Sequence, residues 1–186
     1  MKTMTKLVAA AFTAAALFIG TNVNAQSVPK NAFRFGFGVE GLAPVGDLHK
    51  VSNIGLGIIP RLQYGAADNL AITLTSGYYN FFGKTDDANV KYKSYGVIPV
   101  KAGIKAFVSQ NVYLSAEVGA GFETSAPGDI KEPIETDFGT HTKLLASPGI
   151  GWANQKWDVG ARYENFSGQG NSFGTIGLRI AYGFGL

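Results

Sequence analysis

Charged residues fall on one alternate phase of segments that otherwise hold glycine and apolar side chains. Arg34, Arg61, Lys101, Lys105, Arg162 and Arg179 are the cations of this set, and Glu40, Glu117, Glu123, Asp158 and Glu164 its anions. Groups of these types can pair with one another, line a polar path or form a small binding site. Inside an enclosed space each must be paired or hydrated, because an unpaired buried charge costs several kcal/mol. The signs nearly balance, which points to pairing. Lys101 and Glu117 lie at similar distances from the Ser109-Gln110-Asn111 segment and make the leading pair. For Arg179 the candidates are Glu40 and Glu164.

Other chemistry finds little support. His49 lies near Asp47 and Ser52, and His141 follows Thr140. A base beside a hydroxyl is necessary for nucleophilic catalysis, but it is too common by accident to identify it. Neither histidine has metal-ligand spacing with the neighbouring acids. The segment Lys84-Thr-Asp-Asp-Ala-Asn89 has the acids of a calcium loop without the rest of its pattern. Gly36-Phe-Gly38 and Gly119-Ala-Gly121 sit within alternating segments and are not phosphate loops. There is no cysteine, so neither disulfides nor thiolate chemistry are available. The sequence therefore predicts no catalytic residue, no cofactor and no metal.

The elements that must position the charges are strands. From Ala32 onward apolar residues alternate with glycine and polar residues, the period of a strand whose successive side chains face opposite ways. Ala32 to Gly41 sets Phe33, Phe35, Phe37 and Val39 against Arg34 and Glu40. Asn53 to Tyr64 sets Ile54, Leu56, Ile58 and Leu62 against Arg61 and Gln63. A third strand begins at Leu70, with Ile72 and Leu74 opposite Thr73 and Thr75. Ser94 to Phe107 carries Lys101 and Lys105, and a fifth strand from Val112 carries Glu117 and Glu123. Lys143 to Ala153 opposes Leu144, Ile150 and Trp152 to Ser147 and glycines. A seventh strand from Trp157 carries Asp158, Arg162 and Glu164, and the last, ending at Leu186, carries Arg179.

Eight strands of about ten residues, joined by alternately short and longer connections, describe an all-β, eight-stranded antiparallel up-and-down transmembrane β-barrel. Residues 66–69, 109–111 and 154–156 are the short turns, placed on the periplasmic side; the longer segments 44–52, 83–93, 124–142 and 167–171 are outer loops. A soluble barrel also alternates. Here, however, one face is nearly free of charge in every strand, and the other is mostly glycine with scattered charges of both signs. The apolar face then meets lipid and the charged set lies in the lumen, where eight strands leave room for little beyond side chains. Those side chains are expected to plug the barrel. Pro60, Pro99 and Pro148 fall inside strands, each removing a ladder hydrogen bond, so bulges or breaks with a slip of register are expected there.

Residues 1–25 read as an export signal: Lys2 and Lys6, an apolar run from Leu7 to Gly20, then Val23-Asn24-Ala25 at a cleavage site. Residues 26–186 form the barrel domain. Removing Lys2 and Lys6 lowers the 16 Lys+Arg to 14 against 13 Asp+Glu, a net charge of +1. That balance gives no reason to expect a nucleic-acid partner.

Several stretches resemble the small outer-membrane β-barrels frequent in Bacteroidota: Glu40-Gly-Leu-Ala-Pro-Val-Gly-Asp47, Ile98-Pro-Val-Lys-Ala-Gly-Ile-Lys105, Ala116-Glu-Val-Gly-Ala-Gly121, Ser147-Pro-Gly-Ile-Gly-Trp152 and the terminal strand. The resemblance implies an outer-membrane location and a barrel of the OmpA and OmpX type, whose usual terminal phenylalanine is here followed by two residues, Phe184 preceding Leu186. It carries no active site. The role expected is structural or surface-interacting, in a monomer contacting outer-membrane lipid, with any surface partner met through loops 44–52, 83–93 and 124–142. A narrow channel or small-ligand carrier is the alternative, and a lipid-modifying enzyme a more distant one.

Overall fold

The structure, a computed structural model, describes residues 28–85, 89, 91–125, 130–132, 140–168 and 172–185. The export-signal reading, most of loop 124–142 and Leu186 lie outside the described residues.

The alternation resolves into β1 (Phe33–Gly46), β2 (Ser52–Ala67), β3 (Leu70–Ser76), β4 (Tyr78–Gly83), β5 (Lys91–Tyr92), β6 (Tyr95–Phe107), β7 (Val112–Glu123), β8 (Ile130–Glu132), β9 (Thr142–Ala153), β10 (Trp157–Gly168) and β11 (Phe173–Gly185). One 9-stranded sheet runs β1-β11-β10-β9-β7-β6-β3-β2-β4 and closes through the β1–β2 pairing. Because β3 and β4 are one stave interrupted at Gly77, those nine strands make eight staves. Every stave pairs antiparallel with its neighbours. This is the closed up-and-down barrel that the alternation predicts, and closure leaves the main sheet with no edge.

The prolines meet the expectation of breaks but not that of slippage. They interrupt ladders but shift no register. β2 pairs with β4 at Ile58↔Tyr78 and with β3 at Arg61↔Thr75, so the gap falls at Ile59 and Pro60 with three steps on each side. β6 pairs at Val97↔Tyr79 and again at Val100↔Ser76, leaving its gap at Ile98 and Pro99. Both prolines thus abut the same break at Gly77, and their missing donors fall in one patch of wall. Gly77 itself has φ +151, and a Cβ there would stand 2.1 Å from the Ile58 carbonyl oxygen. Only glycine fits that crossing. At Pro148 the β9–β10 ladder resumes in register, Gly149↔Arg162 giving way to Ala146↔Asn165. The shifts of the barrel ladders lie instead near stave ends, between Gly65 and Ala67 and between Ser52 and Gly55.

The outer loops are also shorter than expected. β1 continues to Gly46 and pairs with β11 as far as Phe173, so the 44–52 loop reduces to a short 3-10 helix, Asp47–Lys50, and Val51. Pro44 and Gly46 read as turn residues in sequence, but ladder pairing and the inward burial of Leu42 extend the strand through them. Likewise β10 runs to Gly168. Segments 83–93 and 124–142, read as separate loops, meet in a two-stranded ribbon, with Lys91 opposite Glu132 and Tyr92 opposite Ile130.

Outside, the barrel is apolar. Phe33, Phe37, Val39, Leu56, Ile58, Leu74, Ile98, Ile150, Trp152, Trp157, Leu178, Ile180 and Phe184 all point away from the lumen and are exposed, Leu178 at 64%.

Candidate functional site

The lumen is built by the inward half of each alternation, and three tiers of side chains fill it. On the side of the short turns, Asp158 (β10) is the focus. It pairs with Lys105 and accepts from the Tyr113 hydroxyl at 2.6 Å. Arg179 Nη1 stands 3.5 Å away and Arg61 Nη1 4.0 Å. The Lys105 ammonium also lies 4.0 Å from the centre of the Tyr113 ring, a cation–π contact. Nearer the rim, Arg34 donates to the carbonyl of Asn154 at 2.9 Å.

The middle tier holds three carboxylates and three cations. Glu117 (β7) receives Arg61 Nη2 at 3.1 Å, the Thr73 hydroxyl at 3.0 Å and the Thr75 hydroxyl at 2.7 Å. Glu164 pairs with Lys101 and accepts from Ser147 Oγ at 2.9 Å and Tyr79 Oη at 3.2 Å. Arg162 pairs with Glu40, lies 3.3 Å from Glu164 and donates to Tyr79 Oη at 2.5 Å. Lys101 and Glu164 are both 0% exposed. Charges this deep persist because each has a partner of opposite sign, and Glu117 and Glu164 accept further hydrogen bonds from hydroxyl groups.

Toward the outer end, Tyr95 donates to Glu123 at 2.9 Å, and Lys143 stands 3.6 Å from the same carboxylate oxygen. Around and above them the polar lumen gives way to an apolar cluster of Leu42, Leu48, Ile59, Tyr79, Phe81, Tyr95, Val97, Leu145, Phe166 and Phe173. Phe166 stacks on Phe173 at 4.5 Å, and Phe81 on Tyr95 at 5.6 Å.

All of the charged residues singled out in sequence have side chains turned into this interior, Glu123 at its outer end. Their pairing differs in part from the expectation. Lys101 and Glu117 do approach to 3.8 Å, but the nearer acid to Lys101 is Glu164 on the far wall. Arg179 reaches Asp158 instead of Glu40 or Glu164, and Glu40 is taken by Arg162. Adjacency along the chain favours neighbouring strands, whereas long side chains in a narrow barrel meet across it. Sequence reasoning left out Lys143, Tyr79, Tyr95 and Tyr113. Tyr113 shares the phase of Ser115 and Glu117, and that phase was the available signal. His49 and His141 lie exposed outside the lumen, where the His141 backbone N–H donates to Glu123 at 2.7 Å. Also outside, Lys50 donates to Asp47 at 2.7 Å, and this hydrogen bond holds its ammonium above the usual lysine range. Among the described residues no three His, Cys, Asp or Glu side chains group as metal ligands would.

A closed antiparallel barrel of eight staves has counterparts among solved structures. The chain has the fold of a small outer-membrane β-barrel. It superposes on Ail, the attachment invasion locus protein of Yersinia pestis, with a TM-score of 0.60 and 16% identity, over 84% of this chain and 100% of that one. The N-terminal β-barrel domain of Pseudomonas aeruginosa OprF matches with a TM-score of 0.52 and 13% identity, over 83% and 98%. Pseudomonas aeruginosa OprG matches with a TM-score of 0.51 and 10% identity, over 88% and 99%. No protein-family model matches the sequence, and no curated protein does. At such identities the likeness is one of fold.

Proposed function

We propose that the chain is an integral outer-membrane barrel, exported by a signal cleaved after Ala25, with a plugged lumen and a structural or surface-interaction role. The observation that carries the membrane reading is the outward face. Large apolar side chains stand exposed on every stave, from Val39 on β1 to Leu178 on β11, and among the described residues no charge interrupts them at mid-height. In water such a surface drives association; in a bilayer it is matched to its solvent.

The plugged reading rests on the tiers of the lumen. Ion pairs cross it between opposite walls, as Lys101 does to Glu164, and a stacked aromatic cluster closes over them. A lumen crossed in this way holds the staves together and obstructs an ion. Surface contact falls to the outer loops 44–52, 83–93 and 124–142, the last two of which meet in the β5–β8 ribbon. A role of this kind is in keeping with Ail, whose name denotes attachment. The barrel acts as a monomer surrounded by lipid, without catalytic or cofactor chemistry.

Planar-bilayer recording of the refolded protein tests the plug. We expect insertion without reproducible conductance steps. Regular open steps of fixed size would replace this reading with that of a narrow channel.

A further inference from the structure

The outward face is not uniform around the barrel. On β2 and β3 it carries the large exposed side chains of Leu56, Ile58, Ile72 and Leu74. Across β7, β9 and β10 the outward positions include Ala116, Ala146, Pro148 and Ala161 instead. Ala116 shares the phase of the exposed Val118 and is nonetheless buried, so the wall is recessed there. Its ladder partner is Pro148, which has no N–H to give, and the β9–β10 ladder forms no pair between Gly149↔Arg162 and Ala146↔Asn165. Beside this gap lies a groove of about 430 Å³, lined by Leu114, Pro148, Ile150, Ala161, Tyr163 and Ile176. Arg162 also borders it, but its guanidinium turns inward to Glu40.

One end of this apolar groove is polar. A Cβ at Gly174 would stand 2.4 Å from Tyr163 Oη, so the phenol lies along the wall over that glycine. Gly174 pairs with Asn165, and Asn165 with Ala146. The Tyr163 hydroxyl and the Asn165 carboxamide thus share one row, on the outer-end side of the apolar lining. Asn165 donates to the Phe173 carbonyl at 3.4 Å, and an amide has a second N–H to offer as well as its oxygen.

We propose that the groove is a binding site for one membrane lipid, whose acyl chain lies against Pro148 and Ala161 and whose ester carbonyl meets the Tyr163 hydroxyl and Asn165. The site is apolar along its length and hydrogen-bonding at its outer end, and an outer-leaflet lipid has the same order. A second copy of the chain fits it poorly, because two-fold association would set groove against groove and fill neither. The inference rests on the membrane reading proposed above.

The test refolds the protein into phosphatidylcholine vesicles containing a small fraction of phosphatidylcholine with a photoreactive diazirine on one acyl chain. After irradiation, adducts are mapped by mass spectrometry of the peptides. We expect them to concentrate on peptides holding Leu114 and Ile150, over those holding Ile58 and Leu74 on the far side of the barrel. A161F, whose ring fills the groove, should cut the groove adducts by about tenfold or more, the worth of about two buried methylenes. Y163F keeps the ring and drops the hydroxyl, and should cut them by about fivefold, the worth of one hydrogen bond. Adducts spread evenly over the outward peptides, or undiminished in A161F, would overturn the site and leave the membrane reading standing. A detergent-extracted dimer that A161F abolishes would overturn it too, by assigning the groove to a second copy. Absence of adducts from every outward peptide would instead remove the membrane reading, and the site with it. If A161F does not fold, the wild-type distribution and Y163F decide.

Discussion

Lys101 on β6 and Glu164 on β10 form an ion pair across the lumen although neither strand borders the other, since β7 and β9 stand between them. The pair therefore ties opposite walls together. Removing one partner leaves the other charge buried, and K101M or E164L should each destabilise the barrel by about 3–5 kcal/mol. The double variant K101M/E164L, in which neither charge remains, should lose much less than the sum. Urea unfolding in lipid vesicles, followed by tryptophan fluorescence, measures both; full additivity would show that the pair is not coupled.

The Gly77 break gives a local prediction. With φ +151 and the Ile58 carbonyl 2.1 Å from where a Cβ would lie, G77V forces the wall to shift. The cost should be about 1–3 kcal/mol or more, the range of a backbone held in a conformation that only glycine adopts readily. A Thr substitution at Gly41, where a Cβ meets nothing within 4 Å, is the control and should fold like the parent. Equal refolding yields for the two would contradict the account of the break.

Much of the fold was legible because a period of two with one uncharged face leaves few solutions for a chain of this length. Arg34, Arg61 and Arg179 could be placed inside from phase alone. The partners of those charges could not. Whether Lys101 meets Glu117 or Glu164 depends on the stagger between staves and on the reach of side chains across the lumen, and neither is written in a local pattern. That the prolines break ladders without slippage is not local either. Pro60 and Pro99 each signal a lost donor, but only the closed sheet brings both against Gly77, where a gap without slippage accommodates them. Pro44 and Gly46 fit a loop as well as a strand until the partner, here β11, is known.

Leu178 tests what the outer face touches. It is 64% exposed near the middle of β11, opposite Gly41 and Ala161. If lipid covers it, L178R should cost about 2–4 kcal/mol, the range for arginine near a bilayer midplane. In an aqueous setting the same change would be neutral or favourable to solubility. Folding free energy in vesicles, compared with L178A, separates these outcomes.

Export predicts a covalent difference. Protein purified from a Gram-negative host should begin at Gln26, with loss of residues 1–25 and frequent cyclisation of the new terminal glutamine. Intact-mass spectrometry checks this directly; a mass retaining Lys2 and Lys6 would remove the export signal from the account.

The central claim, an apolar-faced barrel closed within a membrane, is tested most directly by heat-modifiable migration. Protein extracted from the outer-membrane fraction with mild detergent is run on a denaturing gel with and without boiling. The account predicts a band in that fraction whose unboiled form migrates differently and reverts to the unfolded position on heating. A protein recovered in the soluble fraction, with the same mobility before and after boiling, would contradict it.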